Sequence, residues 1–224
     1  MSMAGPTRLE IMIDAASPVV AKLSPERRAR FTHLVDQFLQ DVEFRGADGF
    51  DVTSRVRVTL ATYACLLLLN RPRERFDLGM RIVIRERGVP TDDQMMGRYS
   101  RWGRMDLCWA SIMKDGVLSI PGCCAAMHEL AHRLDNRNIF WDGLPATHSA
   151  ECHEKWCADM DEELDFLRTR LANGFETPLT PHAATSQADF FNCTTTAYFE
   201  QPDMLRDHFR RVHDRLAHFY EDGR

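Results

Sequence analysis

His128-Glu129-Leu130-Ala131-His132 is the stretch that decides how this 224-residue chain folds. On a helix, positions i and i+4 share a face, so both imidazoles can reach one metal ion. Glu129 lies beside them, placed to accept a proton from a water that the ion activates. This is the HExxH arrangement of zinc hydrolases, in which two His hold Zn²⁺ and the Glu serves as general base. Ala125, Ala126 and Met127 before it, with Leu130, Ala131 and Leu134, are helix-compatible and mostly apolar, which predicts a helix from about Cys123 to Asp135. A polar stripe on such a helix is costly to bury unless something satisfies it. The alternative is a surface helix carrying two solvated His.

Composition sets the frame around that helix. A hydrophobic fraction of 44% and a charged fraction of 27% are those of an ordinary globular protein long enough to bury a full core. The net charge of −5 and the interspersion of Arg with acids argue against nucleic-acid binding. The longest apolar run, Leu60 to Leu69, is too short to span a bilayer. Arg8, Glu10 and Asp14 interrupt what would be the apolar centre of a signal peptide. The seven Cys form no regular framework and read as reduced thiols, so a cytoplasmic location is expected, with no membrane association.

The remaining pattern is mostly helical. Ser24-Pro25-Glu26 is a helix start, followed by Phe31, Leu34, Val35, Phe38, Leu39 and Val42 at helical spacing. A second, nearly all-apolar helix follows Thr53 and runs through Ala61, Ala64, Cys65 and Leu68. Arg81 to Arg85 alternates around Ile82 and Ile84 as a strand. Leu107 to Ile112 and Val117 to Ile120, joined through Asp115-Gly116, read as a strand pair. Gly88 to Gly103 reads as a polar loop, a candidate lid, and Asn136 to Pro145 as another loop. A charged helix is expected over about 148–171, then helices over 186–199 and 202–220. The expected fold is α+β and helix-rich, a single compact zincin-like domain over residues 23–222 with a small β-sheet beside the HExxH helix. Residues 1–22 are expected as an N-terminal extension, poorly ordered in part.

A catalytic zinc needs a third protein ligand and keeps its fourth position for water. The extended metzincin pattern would put Gly at 135 and His at 138, where this chain has Asp135 and Asn138. A carboxylate from a later helix is the common remaining solution, and Glu151, Glu154, Glu162, Glu163 and Asp189 are candidates, with His148 and His153. The acids of the charged helix are most simply solvated. Asp189 differs, because it precedes Phe190 and Phe191 in a helix otherwise rich in apolar and small residues, where a lone acid needs a partner. It is also simply an acid favoured in a first helical turn.

Several stretches together resemble the MtfA-like zinc peptidases, peptidase family M90. Phe38-Leu39 through Phe44-Arg45-Gly46-Ala47 is similar to that family's N-terminal helix and turn, and Ala61 to Leu69 to its buried alanine-cysteine-leucine helix. HELAHRLD at 128–135 resembles its HEFAHxLD, and Asp142-Gly143-Leu144-Pro145 its GxP loop. Ala188-Asp189-Phe190-Phe191, with Tyr198-Phe199-Glu200-Gln201-Pro202, resembles its AEFFA…EYFF..P segment. The resemblance implies zinc held by His128, His132 and Asp189, with Asp189 standing where the family has Glu. The family's next Glu is replaced by Thr196. A family Tyr that can donate to the oxyanion is replaced by His182, whose imidazolium could do the same electrostatically.

The expected function is therefore that of a zinc-dependent peptidase with Glu129 as base, His182 assisting and Zn²⁺ as cofactor. The predicted strand at 117–120 would offer an edge to an extended peptide. Two other classes stay open: a zinc hydrolase of a non-peptide amide or other small substrate, and a regulatory binding protein with a retained zinc site. No protein partner is legible.

Overall fold

The computed structural model describes residues 5–71, 80–87, 97–99, 103–118, 124–135 and 150–221. Helix α1 (Arg8–Ala16) opens on a capping box, in which the Thr7 side chain accepts from the Glu10 amide and Glu10 reaches back to the Thr7 backbone. Helix α2 (Pro18–Ala21) follows directly. Residues of this segment, expected as an extension outside the domain, enter the core: Ile13 and Val20 are fully buried, and α1 packs on α4 (Ser54–Leu68). Helix α3 (Pro25–Asp41) starts at the Ser24 cap and buries Phe31, Val35 and Phe38, the expected helical stripe. Thr53 caps α4, which is buried on nearly every side, as its continuous apolar run implies.

Four strands form one sheet, β1 (Glu43–Gly46), β2 (Arg81–Arg85), β3 (Gly97–Tyr99) and β4 (Arg104–Cys108), in the order β1-β2-β4-β3. The first three in that order are parallel, with Phe44 opposite Ile82 and Ile82 opposite Met105, while β3 runs antiparallel to β4. Strand β2 is an apolar run rather than an alternating one, with Ile82, Val83 and Ile84 all buried, and in β4 Met105, Leu107 and Cys108 are buried on either side of the charged Asp106. Gly46 ends β1 because the chain folds back on it: a Cβ there would lie 1.8 Å from the Phe50 carbonyl oxygen.

Two expectations are corrected here. Leu107 to Ile112 and Val117 to Ile120 do not form a strand pair, because β4 ends at Cys108 and helix α5 spans Trp109–Leu118. Short apolar runs fit both periods, and Trp109, Ile112 and Met113 also satisfy the helical one. Residues 119–120 lie outside the described residues. The stretch 88–103 is not all loop either, since β3 pairs through its backbone without any apolar alternation to announce it. The loop expected over 136–145 lies outside the described residues.

Helices α6 (Ala125–Asp135), α7 (Ala150–Ala172) and α8 (Gln187–Glu200) match expectation. The expected terminal helix is two, α9 (Pro202–His208) and α10 (Arg210–Glu221), broken where Phe209 leaves helical dihedrals (φ −137°, ψ 59°). Phe209 is buried against Phe190 and Phe166, and that packing accompanies the break. The helix-rich α+β class holds. Among the described residues, no helix is long and apolar enough to cross a membrane.

Among the described residues, Asp106 is the one acid buried in the sheet, and two guanidinium groups hold it: Arg85 Nη1 and Arg104 Nε each lie 2.8 Å from its carboxylate. Burial alone would raise the Asp106 pKa, but Arg104 and then Arg85 outweigh it and hold the carboxyl below its usual value. Asp106→Ala should cost about 2 kcal/mol, because it leaves the sheltered Arg85 without that partner. A depressed folded pKa means that this increment is present above the unfolded carboxyl value and fades as pH falls through the folded one. Urea midpoints of both proteins at neutral and strongly acidic pH check this; an unchanged neutral-pH midpoint would remove the pair from the stability of the sheet.

Candidate metal centre

Helix α6 lies in the interior because most of its surface is apolar or small. Cys124, Ala125, Ala126, Met127, Leu130, Ala131 and Leu134 are buried, and the alanines allow close approach of α4 and α8. His128 and Glu129 are carried inward with them, each only 8% exposed. The His128 and His132 rings lie one turn apart, with centroids separated by 5.0 Å.

Burial decides the charge state of both imidazoles. Desolvation, aided by the nearby His132 and His182, pushes the His128 pKa down to about 3, against the opposing pull of Asp189. Desolvation likewise lowers His132 to about 4 although Asp189 favours its charged form. Both rings are neutral at physiological pH and keep a lone pair for a metal.

Helix α8 brings Asp189 to them. Ser186 is its N-cap: the hydroxyl accepts from the Asp189 backbone amide at 3.0 Å and donates to Asp189 Oδ2 at 2.6 Å. The Thr185 hydroxyl lies 2.7 Å from the same Oδ2 and also contacts the His182 carbonyl, so it links Asp189 to the 3₁₀ turn Pro181–Ala184. The other oxygen, Oδ1, faces His182 Nε2 at 3.4 Å and His128 Nε2 at 3.8 Å. Burial raises the Asp189 pKa, but the Ser186 and Thr185 hydroxyls and the two imidazoles outweigh it, and the net shift is downward.

Of the residues expected at the site, His128, His182 and Asp189 have their donor atoms all within 4.8 Å of one another. His132 stands beside this trio on the next turn, its Nδ1 2.8 Å from Asn192 Nδ2. Zinc bonds of about 2.0–2.1 Å at tetrahedral angles set donor atoms roughly 3.4 Å apart, so the 3.8 Å between Asp189 Oδ1 and His128 Nε2 suits two ligands of one ion after a small adjustment. Neutral imidazoles and an ionised carboxylate are also the right donor chemistry for zinc. The α7 alternatives lie elsewhere: Glu151 pairs with Lys155, Glu162 pairs with Arg211, and Glu154 is exposed. His153 and Glu163 are half-buried outside the cluster, and His148 lies outside the described residues.

Sequence reasoning missed the supports. Ser186 was legible as the first residue of an S-x-x-D cap. Asn192 and Cys193 follow Asp189 at i+3 and i+4, hence on its face of α8, and Cys193 Sγ lies 3.7 Å from His128 Nδ1. The helical spacing was the available signal.

The profile of the family described as glucose-regulated metallo-peptidase M90 matches residues 2–221. An uncharacterized protein of Synechocystis sp. is 26% identical over 230 residues, covering 96% of this chain and 84% of its own. Mlc titration factor A of Enterobacter sp. and that of Klebsiella pneumoniae are each 25% identical over 227 residues, covering 92% of this chain and 83% of theirs.

The lowered imidazole pKa values have a measurable sign. Unfolded, both His take up protons near pH 6.5, whereas in the fold they do so only near 4 and 3. In metal-free protein their contribution is therefore fully present above pH 6.5 and is lost as pH falls toward 4. Guanidinium midpoints of chelator-treated protein should decline over that window, and less steeply in His128→Gln. Parallel profiles would contradict a buried neutral His128.

Proposed function

The chain belongs to the M90 metallopeptidase family, and on that premise we propose that it is a zinc-dependent peptidase with His128, His132 and Asp189 as metal ligands and Glu129 as general base. The observation that carries this reading is the approach of Asp189 Oδ1 to His128 Nε2 within a buried site whose imidazoles are neutral. A zinc ion held there would supply Lewis acidity, activating a water and polarising the scissile carbonyl.

The chain's own groups would do the rest. Glu129, next to His128 on α6, takes the proton of the attacking water and returns it to the leaving amine. His182, beside Asp189 and more exposed than His128, would stabilise the developing oxyanion as donor. Thr185 and Ser186 hold Oδ2, so that Oδ1 is the oxygen turned toward the imidazoles. An extended peptide finds its backbone edge along β3, the outer strand of the sheet, which packs on α6; residues 117–118, part of the expected strand edge, lie in α5 instead. The six described cysteines form no disulfide, which supports a cytoplasmic location.

A second reading takes its cue from the relatives named Mlc titration factor A: the chain would titrate a protein partner and keep its metal for that purpose. Hydrolysis separates the two.

Elemental analysis and a peptide panel should find about one zinc per chain with turnover. Glu129→Gln should keep the metal and lose about 100- to 10,000-fold in rate. Zinc-dependent turnover persisting in Glu129→Gln would sink the base assignment, and zinc without turnover in the wild type would favour the binding reading. Asp189→Ala should purify with little zinc; unchanged stoichiometry would move the third ligand elsewhere.

A further inference from the structure

Asn192 is fully buried in α8, between Phe191 and Cys193 and one turn after Asp189. Its Nδ2 lies 2.8 Å from His132 Nδ1, while its Oδ1 is enclosed with no hydrogen-bond partner. A carboxamide in such a place is costly, and a leucine of similar size would fill it without that cost. Packing therefore gives no reason for an Asn here; its contact with His132 does.

We propose that Asn192 is a positioning residue for His132, its amide setting which imidazole nitrogen carries the proton and which faces the metal. This rests on His132 being a metal ligand, as proposed above. A neutral imidazole has one N–H. As oriented, Nδ2 donates to Nδ1, so the His132 proton sits on Nε2. For Nε2 to bind a metal, that position must lose its proton and Nδ1 must carry one. Nδ1–H then needs an acceptor, and Oδ1 becomes that acceptor when the amide turns over. The two ends of a carboxamide are nearly identical in size, so the turn disturbs no packing. One side chain thus partners His132 in both states. The neighbouring Cys193 Sγ meets Nδ1 of His128, so consecutive residues of α8 address the rear nitrogens of both imidazoles.

Two variants and two readouts test this. Asn192→Leu removes both amide functions; Asn192→Asp keeps the acceptor that Nδ1–H requires. Zinc affinity, measured by chelator competition, should fall about 10- to 100-fold in the Leu variant and recover to within about threefold in the Asp variant. Ring ¹⁵N chemical shifts should place the His132 proton on Nε2 in metal-free wild type and on Nδ1 once zinc is added, with the metal-free preference lost in Asn192→Leu. The metal-free melting temperature of the Leu variant should equal or exceed that of wild type. A Leu variant with wild-type zinc affinity and an unchanged tautomer overturns the inference while leaving the zinc site intact. A wild-type protein that binds no zinc overturns the proposed function itself, and this inference with it.

Discussion

Everything in this molecule answers to one cost, that of carrying two imidazoles and a carboxylate into the interior on α6. The helix is buried because its other faces are alanine, leucine and methionine, and the polar stripe has no choice but to follow. Desolvation keeps the imidazoles uncharged, which removes the largest part of the penalty. Helix α8 removes much of the rest by turning one polar edge of an otherwise aromatic and small-residue helix toward α6. Asp189, Asn192 and Cys193 are that edge, and they make sense only as the counterpart of His128 and His132.

The surroundings hold this pairing in register. Strands β3 and β4 and helices α4 and α5 pack on α6, so the sheet supports the helix that carries the two imidazoles. At the far side, Arg71 just past α4 lies over the Phe219 ring and donates to the Phe219 carbonyl, while Asn70 donates to that of Tyr220. These contacts tie the last helix of the chain to the central one.

What could be read from sequence alone divides along physical lines. Helices α3, α4, α6, α7 and α8 were legible because caps and apolar spacing are local signals. Ser24-Pro25 and Thr53 mark starts that hydrogen bonds to Arg27 and Val56 then realise. Strands β1 and β3 were not legible, since Glu43–Gly46 and Gly97–Tyr99 join the sheet through backbone pairing with distant residues. Residues 109–118 and the break at Phe209 depend on tertiary partners that no local period encodes. At the site, His128, Glu129, His132 and Asp189 stand out by spacing or by an acid in apolar company. Asn192 did not, because a small polar residue among phenylalanines reads as packing until the ring behind it is known.

The hydroxyl pair at the start of α8 has a consequence for cation choice. With Oδ2 engaged by Ser186 and Thr185, Asp189 has a single oxygen left to offer, and as a metal ligand it would be a monodentate donor. Calcium gathers six to eight oxygens and draws heavily on bidentate carboxylates, and magnesium requires a near-octahedral oxygen shell. A centre built from nitrogen donors and one carboxylate oxygen meets neither demand. If Asp189 serves as the proposed ligand, Ser186 and Thr185 would select against such cations by leaving it one free oxygen, without themselves touching the ion.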